Sequence, residues 1–542
     1  MNSRNTVEEN MNISDLRGII EYGRIHGGCR TALYKGKNND EPLSFEETSE
    51  IISSAGNYIL SEGLRECNIA ILSENRTEWS LCFFAIANSG NVVVPLDRAL
   101  PEEELLEMIK KCECKAVFYS EKDQKTIDYV ADNLPGIKFY HLEEIYRFAD
   151  SGRKLKEEGK DLFSEVMVNE NTLASIVFTS GTSGGKKGVM LSHGNLASDV
   201  VSLKEVIEAG NTTILLPMHH TFIWAAGMFA MFIYVVDAHI STNMKRIVKD
   251  LKKNSPQNIS AVPMMVEMLY KGIWNNARKE GKEKNLKAAI RLSRFLMKLG
   301  IDRRRQIFRE IHENFGGRLE IIICGGAALD MKLQENLYDL GITIINGYGI
   351  TECSPVVAVN GNNDFRFGSV GRPLSCNRVR ISDPDEKGIG EICVSGSNVM
   401  KGYYKDPEAT AEAFDGEWFK TGDTGYIDRD GYLFITGRTK NLIVLSNGEN
   451  VAPEEIEERF NRLEYVKEVA VYEEDNVITA EFYLDNDNYP QAKTRLEVDV
   501  DLYNRSVPNY RNINKIKYRS TPFTKTTTMK IKRYLLKEGE RP

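Results

Sequence analysis

Short apolar runs of strand length recur between residues 67 and 349, and segments with apolar residues at helical spacing separate them. Runs of this length are typical of strands buried on both faces of a sheet. The separating segment LPEEELLEMIKKC (100–112) has acidic residues in its first turn, where a helix dipole favours them. Strands that alternate with helices predict an α/β architecture with parallel sheet. The runs are CNIAILSEN from Cys67, GNVVVPLD from Gly90, CKAVFYS from Cys114, LASIVFTS from Leu173, TTILLPM from Thr212, ISAVPM from Ile259, LEIIICGG from Leu319 and TIINGYG from Thr343.

Composition and charge exclude several classes of protein. Apolar residues make up 42% and charged residues 27% of the 542 residues, which are ordinary globular proportions and argue against disorder. The net charge of −8 argues against a general nucleic-acid binder. The nine cysteines are scattered and form no metal-ligand pattern with histidines, so we expect a reducing compartment. Since the polar, acidic stretch MNSRNTVEENMNISDL does not resemble a signal peptide, we predict a cytoplasmic protein.

The most apolar stretch of the chain is FIWAAGMFAMFIYVV (222–236). Its fifteen residues fall short of the ~20 that a bilayer-spanning helix needs. We therefore predict a buried helix, with an interfacial segment as the alternative.

The composition and residue pattern of the sequence change at two points, and these changes predict the domain boundaries. After about residue 365, short Gly-rich segments such as DRDGYLFITGR predict small β structure with tight turns. After Arg438, NVAPEEIEERFNRL predicts a helix that starts at Pro453, and VKEVAVYEE and VITAEFYL predict strands. We predict an N-terminal domain over 1–438, with α/β structure to about 364 and a β-rich part over about 365–438. A C-terminal domain over 439–542 follows.

A Gly-, Ser-, Thr- and Lys-rich loop follows one of the predicted strands, in FTSGTSGGKKGVMLSH (178–193). Glycines allow close backbone approach, hydroxyls and exposed N–H groups bind anions, and lysines add positive charge. These properties favour a phosphate site, although the loop does not fit the Walker pattern. A flexible surface turn is the alternative for this stretch alone.

This loop resembles the phosphate loop of the adenylate-forming superfamily, which contains acyl-CoA synthetases. Lys186 stands where that family usually has proline, so Lys187 corresponds to the family lysine. Four further motifs follow in the family's order. They are GYGITE (347–352) for adenine and magnesium, KTGD (420–423) for ribose, GRTKNLIVLSNGENVAPEEIE (437–457) for the hinge and the loop after it, and TPFTKTTTMKIKR (521–533) for the catalytic lysine. The last motif has the spacing associated with long-chain acyl-CoA synthetases.

The resemblance implies a fold and a set of site residues. The implied fold is a large N-terminal domain of two doubly wound α/β subdomains plus a small β-barrel-like subdomain, followed by a small mobile α+β C-terminal domain. The expected catalytic residues are Lys530, Thr351, Glu352 and His220. The expected ATP and AMP contacts are Thr179, Ser180, Gly181, Thr182, Ser183, Gly184, Lys187, Gly325, Gly326, Asn346, Gly347, Tyr348, Gly349, Thr351, Asp423 and Arg438. The metal is assigned to Glu352 and Thr179, the acyl pocket to His220, Trp224 and Gly326, the hinge to Lys440 and the thiol path to Gly448.

The chemistry of these side chains suits the roles. A carboxylate such as Glu352 suits Mg²⁺ that bridges phosphates, and Asp423 suits both ribose hydroxyls. A lysine at position 530 would stabilise the charge that builds up when a carboxylate attacks the α-phosphate of ATP. Each residue also has a plain structural alternative: a surface ion pair for Glu352, a core position for Trp224 and a solvated basic tail for Lys530.

We therefore predict an ATP-dependent fatty acid–CoA ligase for medium- to long-chain acids that uses ATP, Mg²⁺ and CoA. The stretch HHTFIWAAGMFAMF (219–232) contains no acidic residue to pair with an ammonium group, which disfavours amino acids. An acyl-AMP ligase that loads an acyl carrier protein, an aryl-CoA ligase and an inactive ligand-binding homologue are the alternatives. Basic and apolar residues in NLKAAIRLSRFLMKLGIDRRRQIF (285–308) leave peripheral membrane contact open, with a solvated basic face as the alternative.

Overall fold

The computed structural model describes residues 13–36, 40–180, 186–241, 246–441, 443–444, 450–474, 477–525 and 531–537. The chain divides into two compact units. The first comprises 1–367, 371–378 and 395–417, and the second comprises 368–370, 379–394 and 418–542.

The secondary structure alternates between strands and helices through most of the first unit. In chain order, the strands are β1 (Thr31–Lys35), β2 (Glu41–Ser44), β3 (Asn68–Leu72), β4 (Val92–Pro95), β5 (Ala116–Tyr119), β6 (Lys138–His141), β7 (Leu173–Ser180), β8 (Lys186–Ser192), β9 (Thr212–Ile214), β10 (Ala238–Ile240), β11 (Asn258–Ala261), β12 (Ile321–Cys324), β13 (Thr343–Gly349), β14 (Val356–Val359), β15 (Arg372–Pro373), β16 (Asn377–Ser382), β17 (Gly390–Gly396), β18 (Gly402–Tyr403), β19 (Phe414–Asp415), β20 (Trp418–Ile427), β21 (Leu433–Arg438), β22 (Ile443–Val444), β23 (Asn450–Val451), β24 (Val466–Glu474), β25 (Val477–Leu484) and β26 (Lys515–Arg519). The helices are α1 (Leu16–Gly27), α2 (Phe45–Ser61), α3 (Thr77–Asn88), α4 (Glu102–Lys111), α5 (Gln124–Asn133), α6 (Ile145–Glu157), α7 (Leu162–Glu165), α8 (His193–Val206), α9 (Thr221–Ile223), α10 (Ala230–Tyr234), α11 (Ile247–Asn254), α12 (Pro263–Lys279), α13 (Glu283–Lys298), α14 (Arg304–Ile307), α15 (Arg309–Asn314), α16 (Met331–Asp339), α17 (Pro407–Ala413), α18 (Pro453–Asn461), α19 (Ala492–Ser506) and α20 (Tyr534–Lys537).

One sheet of the first unit has the strand order β18-β8-β7-β4-β3-β5-β6. The strands from β7 to β6 run parallel, whereas β8 is antiparallel to β7 and β18 is antiparallel to β8. All four residues of β4 and all four of β5 are buried, as their apolar runs predict. The antiparallel hairpin β7–β8 brings the two ends of the Gly-rich loop to one edge.

The second sheet of this unit has the order β10-β9-β11-β12-β13-β14-β15. It is parallel from β10 to β13 and antiparallel beyond. Because β12 and β13 are parallel neighbours, the segments that follow them lie at the same edge of the sheet, where open α/β sheets bind ligands. The predicted α/β class is confirmed, with mixed rather than purely parallel sheets.

The apolar stretch 222–236 is buried over 223–233 and half-buried at its ends, but it is not one helix. It begins within the short α9, continues as a π-helical segment over Trp224–Met228 and resumes as α10. The predicted burial is thus correct, while the predicted continuous helix is wrong. Among the described residues, no helix is both long and apolar enough to cross a membrane.

The second unit is rich in strands. Strand β20 pairs antiparallel with β17 and β21, and a separate sheet has the order β24-β25-β26. Helices α18 and α19 supply Ile456, Phe460, Leu496 and Val500 to a core shared with this sheet. Helix α18 starts at Pro453 with Glu454 and Glu455 in its first turn, as its sequence predicts. The boundary between residues 438 and 439 stays a prediction.

Candidate active site

The hairpin β7–β8 carries both ends of the Gly-rich loop. Thr179 pairs with Lys187 across the hairpin, and Ser180 pairs with Lys186. The side chain of Ser180 lies outside the described part of the chain, as do Gly181, Thr182, Ser183 and Gly184.

Lys186, which stands where the family usually has proline, connects the C-terminal end of this loop to α4. Its ammonium forms an ion pair with the carboxylate of Glu104, and its carbonyl accepts a hydrogen bond from Lys111 Nζ at 2.9 Å. A side-chain and a main-chain tether therefore act on the same residue. They limit the motion of the strand that presents Lys187.

Lys187 lies over an aromatic ring that the sequence motifs do not include. Its Nζ is 4.7 Å from the ring centroid of Tyr403, within the range of a cation–π contact. Strand β18 presents this tyrosine, because Tyr403 pairs with Val189 of β8. The hydroxyl of the same tyrosine donates a hydrogen bond to Glu352 Oε1 at 3.0 Å. Tyr403 thus contacts both Lys187, the predicted phosphate ligand, and Glu352, the predicted metal ligand.

The turn that carries Glu352 is held by the segment before β18. Glu352 lies with Thr351 in a 3-10 turn, Thr351–Cys353, and its carbonyl accepts the Met400 N–H at 2.8 Å. Two residues earlier, the amide of Asn398 donates to the Val356 carbonyl at 2.8 Å. These contacts fix the backbone of the turn, so the carboxylate projects from a rigid support.

Burial raises the pKa of the Tyr403 hydroxyl, and the adjacent Glu352 carboxylate raises it further. The hydroxyl is therefore protonated at neutral pH and acts as the donor in this hydrogen bond.

The motif Asn346–Gly349 forms the end of β13. The buried Asn346 uses its carbonyl to accept the Asn360 N–H at 3.1 Å. A Cβ on Gly349 would lie 2.1 Å from the carbonyl oxygen of Pro355, so only glycine fits there. The half-buried Tyr348 lies between the two glycines of the motif and pairs with Ala358 of β14.

Gly325 and Gly326 follow the neighbouring strand β12. A Cβ on Gly325 would meet the Phe222 ring at 3.4 Å and the Gly347 carbonyl at 3.5 Å. Gly326 has φ +84°, a left-handed conformation that favours glycine. The structure therefore brings the ends of β12 and β13 together with Phe222 at the start of the apolar stretch, while the acyl pocket assigned to His220, Trp224 and Gly326 stays a prediction.

His219 and His220 precede that stretch, and their rings lie 4.2 Å apart. Burial lowers the pKa of His219 to about 4, so it is neutral at physiological pH. Its Nε2 lies 3.6 Å from Asp97 Oδ2. Both histidines are half-buried, so burial does not distinguish which of them faces the acyl pocket.

Trp224 is fully buried in an aromatic cluster. Its indole N–H donates to the Met218 carbonyl at 2.7 Å, and its ring lies 4.8 Å from that of Phe83. This packing supports the core alternative, and its predicted role in the acyl pocket stays a prediction.

In the second unit, Asp423 and Arg438 face each other across β20 and β21. Arg438 Nε donates to Asp423 Oδ1 at 2.7 Å, and this aspartate is buried. Lys530 and Gly448 lie outside the described residues, as does the side chain of Lys440.

The residues on both sides of Lys530 are anchored within the second unit. Lys525 and Ile531 form an antiparallel bridge. Lys525 Nζ donates to Glu468 Oε1 at 2.6 Å, and Arg533 Nη2 donates to Glu457 Oε2 at 2.5 Å. Both acceptors belong to elements of the C-terminal core, one to β24 and one to α18.

The sequence model of the family described as "AMP-binding enzyme" matches residues 26–404. The chain belongs to this family. The AMP-binding enzymes most similar to it include long-chain-fatty-acid–CoA ligase 1 of Cavia porcellus, with 30% identity over 80% of this chain and 68% of the relative. Long-chain-fatty-acid–CoA ligase FadD15 of Mycobacterium tuberculosis is 28% identical over 91% of this chain and 90% of the relative.

Solved structures agree with the fold of an AMP-binding enzyme. The anthranilate CoA ligase AuaEII in complex with anthranoyl-AMP aligns with a TM-score of 0.77 at 20% identity, over 97% of this chain and 96% of that one. The Mycobacterium tuberculosis fatty acyl CoA synthetase aligns with a TM-score of 0.69 at 21% identity, over 98% and 99%. The predicted family and enzyme class, and the ATP, Mg²⁺ and CoA of the family's reaction, are confirmed at the family level.

The donors in this AMP-binding enzyme fit Mg²⁺ bound with ATP. Glu352 would supply carboxylate oxygens and Thr179 a hydroxyl, the hard ligands that Mg²⁺ prefers. Within the described ranges, no three His, Cys, Asp or Glu side chains cluster as a complete metal cage. Phosphate oxygens and water would supply the remaining ligands, as is usual for Mg²⁺ at nucleotide sites.

Tyr403 is the residue of this AMP-binding enzyme that sequence reasoning missed. It lies in KGYYKDPEAT (401–410), a stretch that reads locally as a turn before a helix. Asp406 caps α17 and Pro407 begins it, which is a clear signal for the helix but not for the tyrosine. Only the pairing of β18 with β8, more than 200 residues apart in sequence, reveals the contact.

Proposed function

We propose that this chain is an ATP-dependent fatty acid–CoA ligase for medium- to long-chain acids, working through an acyl-adenylate. The observation that carries the proposal is the arrangement in which Lys187, Tyr403 and Glu352 are in contact. It combines a cation and a carboxylate beside a Gly-rich loop, which is the composition that a Mg²⁺-bound triphosphate requires. Relatives named long-chain-fatty-acid–CoA ligases support the acyl substrate.

In the first half-reaction, a carboxylate oxygen of the acid attacks the α-phosphorus of ATP. A P–O bond forms, the bond to the β-phosphate oxygen breaks and pyrophosphate leaves. Bound Mg²⁺ would neutralise phosphate charge, held by Glu352 and Thr179. Lys187 would bind the phosphates, and Lys530 would stabilise the crowded negative charge of the transition state. Asp423 and Arg438 would hold the ribose.

In the second half-reaction, the CoA sulfur attacks the acyl carbon of the adenylate. A C–S bond forms, the C–O bond to AMP breaks, and the thiol proton is lost to solvent. The hinge at Lys440 and the thiol path at Gly448 would serve this step, by resemblance. A hinge needs only a few residues that absorb a change in backbone angles.

The site favours an alkyl substrate. The stretch from His219 to Phe232 contains no acidic side chain, so an ammonium group would have no carboxylate partner there. Phe222 lies against Gly325 at the end of β12, which places apolar surface beside the predicted nucleotide site. An aryl-CoA ligase is the second candidate, because an anthranilate CoA ligase shares the fold. An acyl carrier protein as acceptor is the third.

A product assay tests the proposal. Purified protein receives ATP, Mg²⁺ and a panel of acids from acetate to palmitate plus aryl acids, with and without CoA, and products are identified by mass spectrometry. We expect acyl-CoA and AMP in equal amounts, with the highest rates for the longer acids. Acyl-AMP that accumulates regardless of CoA would indicate a carrier protein instead. Turnover of aryl acids alone, or of none, would contradict the fatty-acid proposal.

We further propose a cytoplasmic enzyme that touches anionic membranes through α13. Leu292 and Phe295 lie in this helix, Leu299 directly follows its last residue, and all three are more than half exposed. Exposed basic residues Arg291 and Lys298 flank them. Apolar side chains at a helix surface with basic neighbours suit the interface of an anionic bilayer, where fatty acids partition.

A vesicle flotation assay tests the membrane proposal. We expect the protein to float with vesicles that contain anionic lipid and to remain in solution with neutral vesicles. The variant Leu292→Ser/Phe295→Ser/Leu299→Ser should lose this binding. A matched control is Val498→Ser/Leu502→Ser, because these residues are equally exposed on α19, beside Asp501. Equal flotation of both variants would refute the role of α13.

A further inference from the structure

Tyr403 contacts two side chains to which the proposed function assigns phosphate and metal. The ammonium of Lys187 lies over its ring, and its hydroxyl donates to the carboxylate of Glu352. We propose that Tyr403 is a positioning residue that holds Lys187 and Glu352 in the arrangement that receives Mg²⁺ and ATP. This inference rests on the proposed function and names a residue that the motifs do not contain.

Tyr403 is itself rigidly placed, as a positioning residue must be. Its N–H donates to Thr410 Oγ1 at 2.9 Å, and the next N–H, of Tyr404, donates to the Gly188 carbonyl at 2.7 Å. The residue is 8% exposed. The ring therefore moves with strand β8, which also carries Lys187.

The contact with Glu352 is compatible with metal binding. A carboxylate has two oxygens and about four acceptor positions, so one hydrogen bond at Oε1 does not exhaust it. The bond restricts rotation of the carboxylate. A ligand that is already oriented loses less entropy when a metal binds, which is how outer partners of metal ligands raise affinity.

The contact with Lys187 acts on a long flexible side chain. A lysine loses much rotational freedom when its ammonium is fixed. The ring of Tyr403 favours positions of the ammonium above its face, and so limits that freedom before a phosphate arrives. The hydroxyl and the ring thus serve different partners, and substitutions can separate them.

The test uses the full chain and three variants. Tyr403→Phe keeps the ring and removes the hydroxyl, and Tyr403→Leu removes both. The control is Tyr404→Phe, which removes the neighbouring hydroxyl; that hydroxyl accepts from Asn68 Nδ2 at 3.3 Å and contacts neither site residue. Calorimetry measures binding of a β,γ-imido analogue of ATP in EDTA and at a series of Mg²⁺ concentrations.

Each substitution has its own expected signature. We expect Tyr403→Phe to bind the analogue like wild type in EDTA but to need roughly tenfold more Mg²⁺ for the same gain in affinity. Tyr403→Leu should show that defect and also bind about threefold more weakly in EDTA, because Lys187 loses its platform. Tyr404→Phe should match wild type in both conditions.

Other results would overturn the inference. If Tyr403→Phe needs no more Mg²⁺ than wild type, the hydroxyl of Tyr403 only forms a buried hydrogen bond and does not position Glu352 for the metal. Equal weakening with and without Mg²⁺ would indicate general structural damage. A wild-type protein that binds no analogue under any condition would defeat the proposed function itself, together with this inference.

Discussion

Lys530 is the residue on which the proposed chemistry depends most. We expect Lys530→Ala to slow acyl-adenylate formation by about 10²–10³-fold, the usual cost of losing one group that stabilises transition-state charge. Binding of ATP should remain, because the phosphate loop and Asp423 are unchanged. Rapid-quench measurement of acyl-AMP checks the rate, and nucleotide titration checks the binding.

The control for this prediction is Lys532→Ala, two residues along the same motif. Its backbone N–H bonds to the Thr524 carbonyl, and that bond survives the substitution. If both variants form acyl-AMP at the wild-type rate, the assigned role of Lys530 is wrong.

At the residue scale, sequence reasoning finds groups whose chemistry is local to a motif. Glu352, Asn346 and Gly349 were predicted from one short stretch, and the structure places all three at or just after the end of β13. Tyr403 was missed because its two partners come from other segments. The residues next to a tyrosine in the sequence do not show whether it packs in the core or contacts residues of a functional site.

At the scale of elements, Glu457 and Arg533 complete the edge of β24. Among the residues that the structure describes, β24 is the outer strand of its sheet, and its outer N–H and carbonyl groups have no strand partner there. At Val471, Glu457 Oε1 accepts the N–H at 2.6 Å, and Arg533 Nη1 donates to the carbonyl at 3.0 Å. This arrangement ties α18, the edge strand and the segment after Lys530 together.

The edge arrangement has a pH dependence. Burial raises the pKa of Glu457 from 4.5 to about 7, and the Arg533 guanidinium opposes this shift without cancelling it. A carboxyl with a raised pKa in the folded state contributes stability that is present below its unfolded pKa. That stability is lost as the pH rises through about 7.

We therefore expect protection of the β24 amides from hydrogen exchange, corrected for intrinsic rates, to fall on the order of tenfold between pH 5 and pH 8. Glu457→Gln should show a much flatter dependence, because glutamine does not titrate. The control is Glu458→Gln, which removes an exposed carboxylate paired with Arg462. A slope in Glu457→Gln equal to that of wild type would contradict the assignment.

The sequence predicted elements best where one segment decides its own structure. The eight apolar runs each contain or overlap a strand, from β3 to β13, and α18 begins at the predicted proline. Strand β18 has only two residues and depends on pairing with β8, so no local pattern indicates it. The stretch 222–236 was predicted as one helix because apolar content alone does not reveal a π-helical segment.

At the scale of the whole molecule, the boundaries predicted from composition differ from those of the two compact units, and the difference has a physical reason. The predicted boundary near residue 365 comes from a change in sequence composition. The second compact unit instead includes 379–394, because β17 pairs with β20. Long-range pairing of this kind leaves no mark on composition. The order of the five motifs gave the family correctly, and it did so without any knowledge of how the strands pair.

The two contacts of Lys186 with α4 have a consequence for how nucleotide affinity depends on ionic strength. A proline restricts the backbone equally in any buffer, whereas the ion pair of Lys186 with Glu104 is partly exposed and is weakened by dissolved ions. Ionic strength should therefore affect nucleotide affinity in this chain more than in a relative with proline at that position. We expect a charge in place of a proline ring to make nucleotide binding sensitive to salt.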